Sequence, residues 1–349
     1  MVREAVRFGY QCPLYPWDTI LELCEFCEKA GFDAVTMADH TVSMGMKRIE
    51  ALEAWTVLAN LAARTQRVLL GTVVSDVHRR HPAVLAQTVA TVDHLSRGRV
   101  FLGLGAGEAM NLDPYGIRWS KPVSRTLEAL EVMRTLWTHA EGRVNFHGEF
   151  YNLTEAPVMT PHQKPRPPVW IAANSLRMLE HVGKLGDGWI PAVPMTPEMY
   201  REGLTAVRDM AHRHGRNPDA VTPGLFTYFV VAENYDSAKS LIELPAKMFA
   251  VMAPATLRKM GFEVPEGYSL LTFKYSDPTA VEKLRKDAER LPFDVVERSG
   301  FIFGTPDDCI GRIEDYIHAG VRFFIMPAMV SLKLMKPTVQ LFAEKILPY

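Results

Sequence analysis

Short runs rich in β-branched and aromatic residues alternate with amphipathic segments along most of the chain, and this alternation restricts the fold more than any other feature. Strands separated by helical segments pair in parallel, because each helix carries the chain back to start the next strand in the same direction. Strands are read near Val6–Gln11, Ala34–Met37, Val68–Val74, Val100–Leu104, Val169–Ala172, Gly188–Ile190, Gly224–Val231 and Phe323–Met326, which makes eight. The punctuation agrees: Gly31 follows the first helix, Gly320 precedes the last strand and Pro82 opens the helix after the third. Eight such units within 349 residues predict an α/β protein, a (β/α)8 TIM barrel forming a single domain over residues 1–349.

Two stretches break the alternation and read as insertions after strands 4 and 7. The first, about residues 141–168, has a hairpin-like core from Gly142 to Tyr151. The second, about 236–300, reads as mostly helical and carries Met248, Phe249, Met252, Met260, Phe262, Tyr268 and Phe273. Loops after barrel strands build the site, so insertions there shape substrate access. The Met and aromatic set suits an apolar pocket wall, and it also suits ordinary burial of a helix pair, which needs no ligand.

Charge narrows the partners. Net charge is −1 with acidic and basic residues interleaved, so neither nucleic acid nor an anionic membrane has a footprint. Met1 to Arg7 lacks the apolar core of a signal peptide, and no run reaches the roughly eighteen apolar residues of a span, which predicts a cytoplasmic protein. Cys24 and Cys27 form a CxxC, a pattern that suits redox or metal chemistry. Ile20, Leu23, Cys24 and Cys27 nonetheless fall at helical spacing, so the thiols are expected on the buried stripe of the first helix. The 11 histidines are scattered and predict no metal site.

Three strand ends carry candidate chemistry. Asp39 and His40 follow strand two, where a carboxylate can orient a ligand and an imidazole can trade protons near neutral pH; a capped loop with a solvated His40 explains them equally well. Strand four runs into Gly103, Gly105 and Gly107, then Glu108. These glycines close a strand instead of opening a phosphate-binding helix, so a dinucleotide fold is a poor fit. After strand five, Ala173, Asn174, Ser175 and Arg177 lead into a helix start that can bind an anion through its amides and the guanidinium, or can be an ordinary N-cap.

Taken together and in order, these segments resemble the F420-dependent branch of the luciferase-like family over essentially the whole chain. The resemblance rests on Ala38-Asp39-His40, Leu70-Gly71-Thr72-Val73-Val74, His81-Pro82-Ala83-Val84-Leu85-Ala86-Gln87 and Gly105-Ala106-Gly107-Glu108-Ala109-Met110-Asn111. Ile171-Ala172-Ala173-Asn174-Ser175, Gly186-Asp187-Gly188-Trp189 and Phe303-Gly304-Thr305-Pro306-Asp307-Asp308 complete it. It implies coenzyme F420 as cofactor and hydride transfer between F420 C5 and a small organic alcohol or carbonyl substrate. His40 and Glu108 become the catalytic acid-base groups, while Asp39, Ala106, Gly107 and Asn111 become cofactor contacts. Val73 and Val74 fall at the family's non-proline cis peptide under the coenzyme ring, and a homodimer is the family's habit.

Departures bear on the substrate. Met44 stands where the dehydrogenases have a tryptophan, Tyr15 or its neighbours where the glucose-6-phosphate enzymes have an acid, and Pro191 to Met195 where those enzymes place a phosphate-binding lysine. Glucose 6-phosphate is therefore not expected. Other readings are a methylenetetrahydromethanopterin reductase-like enzyme and an FMN-dependent monooxygenase of the same fold. A non-catalytic coenzyme carrier would need neither His40 nor Glu108.

Overall fold

In the computed structural model, which describes residues 6–43, 50–139, 142–191 and 193–348, the apolar runs pair as a closed parallel barrel. The strands in chain order are β1 (Arg7–Gln11), β2 (Ala34–Met37), β3 (Leu69–Thr72), β4 (Val100–Leu104), β5 (Arg143–His147), β6 (Asn152–Pro157), β7 (Val169–Ala172), β8 (Gly188–Ile190), β9 (Thr222–Phe226), β10 (Phe229–Val231), β11 (Ile302–Gly304) and β12 (Phe323–Met326). Eight of them close the barrel in the order β1-β12-β9-β8-β7-β4-β3-β2. Met1 to Ala5 and Glu141, part of the sequence readings above, lie outside the described residues.

Side chains alternate between the barrel interior and the helical layer. Phe101, Trp170 and Phe323 fill the interior, with ring centroids 4.8 Å and 5.0 Å apart along the row. Small residues on adjacent strands make room: a Cβ on Gly71 would lie 2.6 Å from the Phe101 ring, and one on Gly188 would lie 2.6 Å from the Trp170 ring. Helix entries carry side-chain caps, including Ser175, Thr196 and a capping box between Thr305 and Asp308. Gly31 and Gly320 adopt positive φ, of 101° and 109°, where the chain leaves a helix. Cys24 and Cys27 are fully buried in the outer layer, as their helical spacing predicts, and burial pushes the Cys24 thiol up to about 12.

The insertions are where the outcome differs in detail. The first forms an antiparallel hairpin, β5 with β6, alongside the helix Pro122–Thr138. Its tip is fixed by Glu128, whose carboxylate accepts from the amides of Glu149, Phe150 and Tyr151 at 2.9, 2.7 and 2.7 Å. The continuous strand expected over Gly224–Val231 is in fact two. β9 ends at Phe226 in the barrel, the chain breaks at Thr227 and Tyr228, and β10 pairs outside the barrel with β11, a strand not expected from sequence. The third strand is likewise shorter than the expected Val68–Val74, since regular pairing stops at Thr72. Most of the second insertion buries its own cluster of Met248, Phe249, Met252, Leu257, Met260, Tyr268 and Phe273 beside the barrel.

Candidate active site

The loops after β2, β3 and β4 meet at the carboxyl end of the barrel. Asp39 is buried at the first of them. Its Oδ2 accepts from Ser75 Oγ at 2.6 Å and from Arg80 Nη1 at 2.6 Å, while Oδ1 accepts from Arg80 Nη2 at 3.2 Å and faces Arg79 Nη1 at 3.2 Å. Arg79 also donates to Asp76 at 2.6 Å and to the Asp39 carbonyl, and Arg80 reaches Glu53. Glu53 caps the helix Ala54–Arg64 by accepting from the Trp55 and Thr56 amides, and the Trp55 indole donates to Ser75 Oγ at 3.0 Å. Two arginines are thus shared among three carboxylates, which offsets the cost of burying charge. The cluster joins the ends of β2 and β3 to that helix and so sets the position of the next residue, His40.

His40 Nε2 lies 3.7 Å from Glu108 Oε2, with both side chains mostly buried. Burial, then the Arg79 charge, pushes the imidazole down to about 4; burial, then the Asp76 charge, pushes the Glu108 carboxyl up to about 7. Between those values the two are a neutral pair, not an ion pair. Glu108 precedes the short helix Ala109–Leu112 without capping it, and its Oε2, like His40 Nδ1, is buried with no hydrogen-bond partner among the described residues. A buried polar atom left in this way is costly unless a ligand completes it.

The facing of the two groups is held by Asn111. The Thr41 amide donates to Asn111 Oδ1 at 2.9 Å, and Thr41 Oγ1 donates to the Asn111 carbonyl at 3.1 Å, tying the loop of His40 to that of Glu108. The glycine run has an equally local reason. Val73–Val74 is a cis peptide beside β4, where a Cβ on Gly103 would lie 2.0 Å from the Thr72 carbonyl and one on Gly105 2.5 Å from the Val74 side chain. Gly107 turns at φ 83°, a region side chains rarely adopt, and this turn leads the chain into Glu108. Val74 is partly buried, and Ala106 accepts the Trp119 indole N–H at its carbonyl at 2.9 Å.

The next stretch of rim follows β7, the barrel neighbour of β4. Ala173 is buried, its amide donating to Ile190 at 3.1 Å and its carbonyl accepting from the Trp189 indole at 2.9 Å. Asn174, Ser175 and Arg177 are exposed, and Ser175 Oγ caps the helix Leu176–Leu185 by accepting from Met178 at 3.4 Å. An ordinary cap is therefore present, and the first-turn amides still point outward as at any helix start. Met44 and Ala192, from the substrate comparison, lie outside the described residues.

Sequence reasoning passed over several residues of this site. Asp76, Arg79 and Arg80 belong to a run of titratable groups directly after β3 and before Pro82, and that density at a strand's carboxyl end is the signal that could have found them. Tyr228 and Tyr275 carried no such signal. Burial raises both phenols and the Glu108 charge raises them further, which sets them in one electrostatic environment with it. A surface cavity of about 550 Å³ lies elsewhere, between charged residues such as Arg201, Lys259, Arg298, Glu198 and Asp315, and includes none of these groups.

The family model described as luciferase-like monooxygenase matches residues 6–322. Among curated proteins, the chain is 33% identical over 303 residues to a phthiodiolone/phenolphthiodiolone dimycocerosates ketoreductase of Mycobacterium bovis (strain BCG / Pasteur 1173P2), covering 85% of this chain and 78% of that one. It is 28% identical to an F420-dependent glucose-6-phosphate dehydrogenase of Nakamurella multipartita over 100% of this chain and 97% of that one. The fold matches an F420-dependent secondary alcohol dehydrogenase in complex with an F420-acetone adduct at TM-score 0.81, with 24% identity and 98% of both chains covered. It matches the coenzyme F420 dependent tetrahydromethanopterin reductase from Methanopyrus kandleri at 0.82, with 21% identity and 99% of both chains covered.

Proposed function

From the premise that the chain belongs to the luciferase-like family and is an oxidoreductase, we propose that it uses coenzyme F420 and interconverts an alcohol and a carbonyl compound at the His40–Glu108 pair. The observation that carries the reading is that pair: two facing acid-base groups, neutral together between about pH 4 and about 7, each keeping a buried polar atom without a partner among the described residues. The names of the relatives above support the coenzyme. The residues also fit it, since His40 Nδ1 and Glu108 Oε2 are buried polar atoms left without a hydrogen-bond partner among the described residues, and the helix start at Ser175 with Arg177 suits its phosphate.

Bound F420 supplies or accepts a hydride at C5. His40, neutral above about pH 4, holds the substrate oxygen and passes the proton there. Glu108 donates that proton in reduction and accepts it in oxidation. Val73 and Val74 form the floor, and Ala106 and Gly107 offer backbone at van der Waals approach. Asp39 acts through Arg79, Arg80 and Ser75, and Asn111 through Thr41, so both hold the loops that bring His40 to Glu108. Asn174, Ser175 and Arg177 receive the coenzyme's anionic end, and Ala173, its amide already given to Ile190, holds the turn that presents them. A cytoplasmic homodimer completes the reading, and light scattering on the purified protein tests the dimer.

Titration with F420 and with FMN tests the coenzyme. F420 binds at micromolar levels and FMN does not; tight stoichiometric FMN, with oxygen consumption on turnover, would place the chain among the flavin monooxygenases instead. Two further outcomes follow. Because Glu108 is a neutral acid below about pH 7 and a carboxylate above it, kcat/KM for ketone reduction is level below that pH and falls about tenfold per unit above. Alcohol oxidation shows the mirror profile, rising to a plateau above about pH 7. The double change Arg177→Ala with Ser175→Pro weakens F420 binding by roughly ten- to a hundredfold, through loss of a charge-assisted contact. Fluorescence titration reads that loss, and unchanged affinity moves the phosphate elsewhere.

A further inference from the structure

The second insertion returns one segment to the site. The Leu271 carbonyl accepts from the amide of Ala109, next to Glu108, at 2.8 Å, and Lys274 pairs with Asp113 at 2.9 Å. Between and beyond these anchors, Phe273 is buried and meets Tyr275 edge-on, with ring centroids 4.8 Å apart. Tyr228, at the break between β9 and β10, packs edge-on against Phe226 at 5.4 Å and Phe249 at 4.9 Å. Val193 after β8 and Met329 after β12 join Tyr228 and Tyr275 on the insertion's core, and all four stay only partly buried. Four separate segments thus carry partly exposed apolar side chains, three of them following strands β8, β9 and β12 and the fourth anchored beside Glu108, and Leu271 is 46% exposed.

Among the described residues, this wall carries no cation free to meet an anionic substrate. Arg79, the cation acting on Glu108, is already engaged by Asp39 and Asp76, and Lys274 by Asp113. An anionic or polyhydroxylated substrate would leave its polar groups facing aromatic rings, which costs free energy, whereas an alkyl chain gains by leaving water there. Resting on the oxidoreductase reading above, we propose that Leu271, Tyr275 and Tyr228 are specificity-determining, and that the substrate is a ketone or secondary alcohol whose extended alkyl chain runs from the His40–Glu108 pair along this wall and out past Leu271. Both phenols remain protonated at neutral pH, since burial and Glu108 raise them, so the wall carries no charge of its own.

The test is isothermal titration of the protein, with and without F420, by a series of 2-alkanones from acetone to 2-nonanone. Affinity rises by about fourfold for each methylene the wall buries. With F420 present, kcat/KM follows the same slope. Tyr275→Ser and Leu271→Asp each flatten the slope, with circular dichroism confirming that the variants fold. Affinity independent of chain length, or a full slope kept in both variants, overturns the proposal. Failure of F420 to bind overturns the coenzyme reading alone, because alkanone binding to the protein without coenzyme still reports on the wall.

Discussion

Glu108→Gln and His40→Asn each lower turnover by about a hundred- to ten-thousandfold while F420 affinity stays near that of the unchanged protein. Both substitutions keep size and much of the hydrogen bonding and remove only proton exchange. The two side chains face each other at 3.7 Å, so they serve one substrate oxygen, and the double variant loses little more than the worse single one. Stopped-flow reduction of a ketone by reduced F420, paired with coenzyme titration, separates the effects. Full turnover in His40→Asn with coenzyme binding lost would make His40 a cofactor contact and end the proton relay.

Asp39→Ala destabilises the fold by about 3 kcal/mol or more, because it leaves Arg79 and Arg80 largely buried without the carboxylate they share. Asp76 and Glu53 keep part of the balance, which holds the cost toward the lower end of what a broken buried pair incurs. Urea denaturation reads it as a lower midpoint at unchanged slope. The resemblance alone assigns Asp39 to coenzyme contact, and Asp39→Asn then lowers affinity with stability intact. The arginine cluster leads to the opposite order: stability falls first, and the His40 loop loosens with it. A variant as stable as the parent would show that the arginines find other partners.

Much of this was legible in the chain because its signals are local. The alternation of strand and helix runs, the glycine punctuation and the helical spacing of Cys24 and Cys27 each arise within a few residues, so the barrel and its buried stripes follow from them. The same holds for Asp39, His40 and Glu108, which lie at strand ends where side chains gain little by packing. Gly103 and Gly105 stand where the Thr72–Val74 segment approaches β4, and Gly107 where His78 and Asp76 do.

Position at a strand end, however, says nothing about partners. Asp39 bonds to Arg80, forty-one positions on, and Thr41 to Asn111, seventy positions on; only closure of the barrel brings those loops together. The downward shift of His40, the upward shift of Glu108 and their facing geometry come from burial and from Arg79 and Asp76, none of which periodicity encodes. β10 leaves the barrel because β11, at the far end of the insertion, supplies its hydrogen bonds, and Tyr228 lies at the resulting break. The sequence by itself determined the barrel and the strand ends that carry Asp39, His40 and Glu108, since both depend on local pattern; the charge states and partners of those groups were decided by tertiary structure, since they depend on groups that only folding makes neighbours.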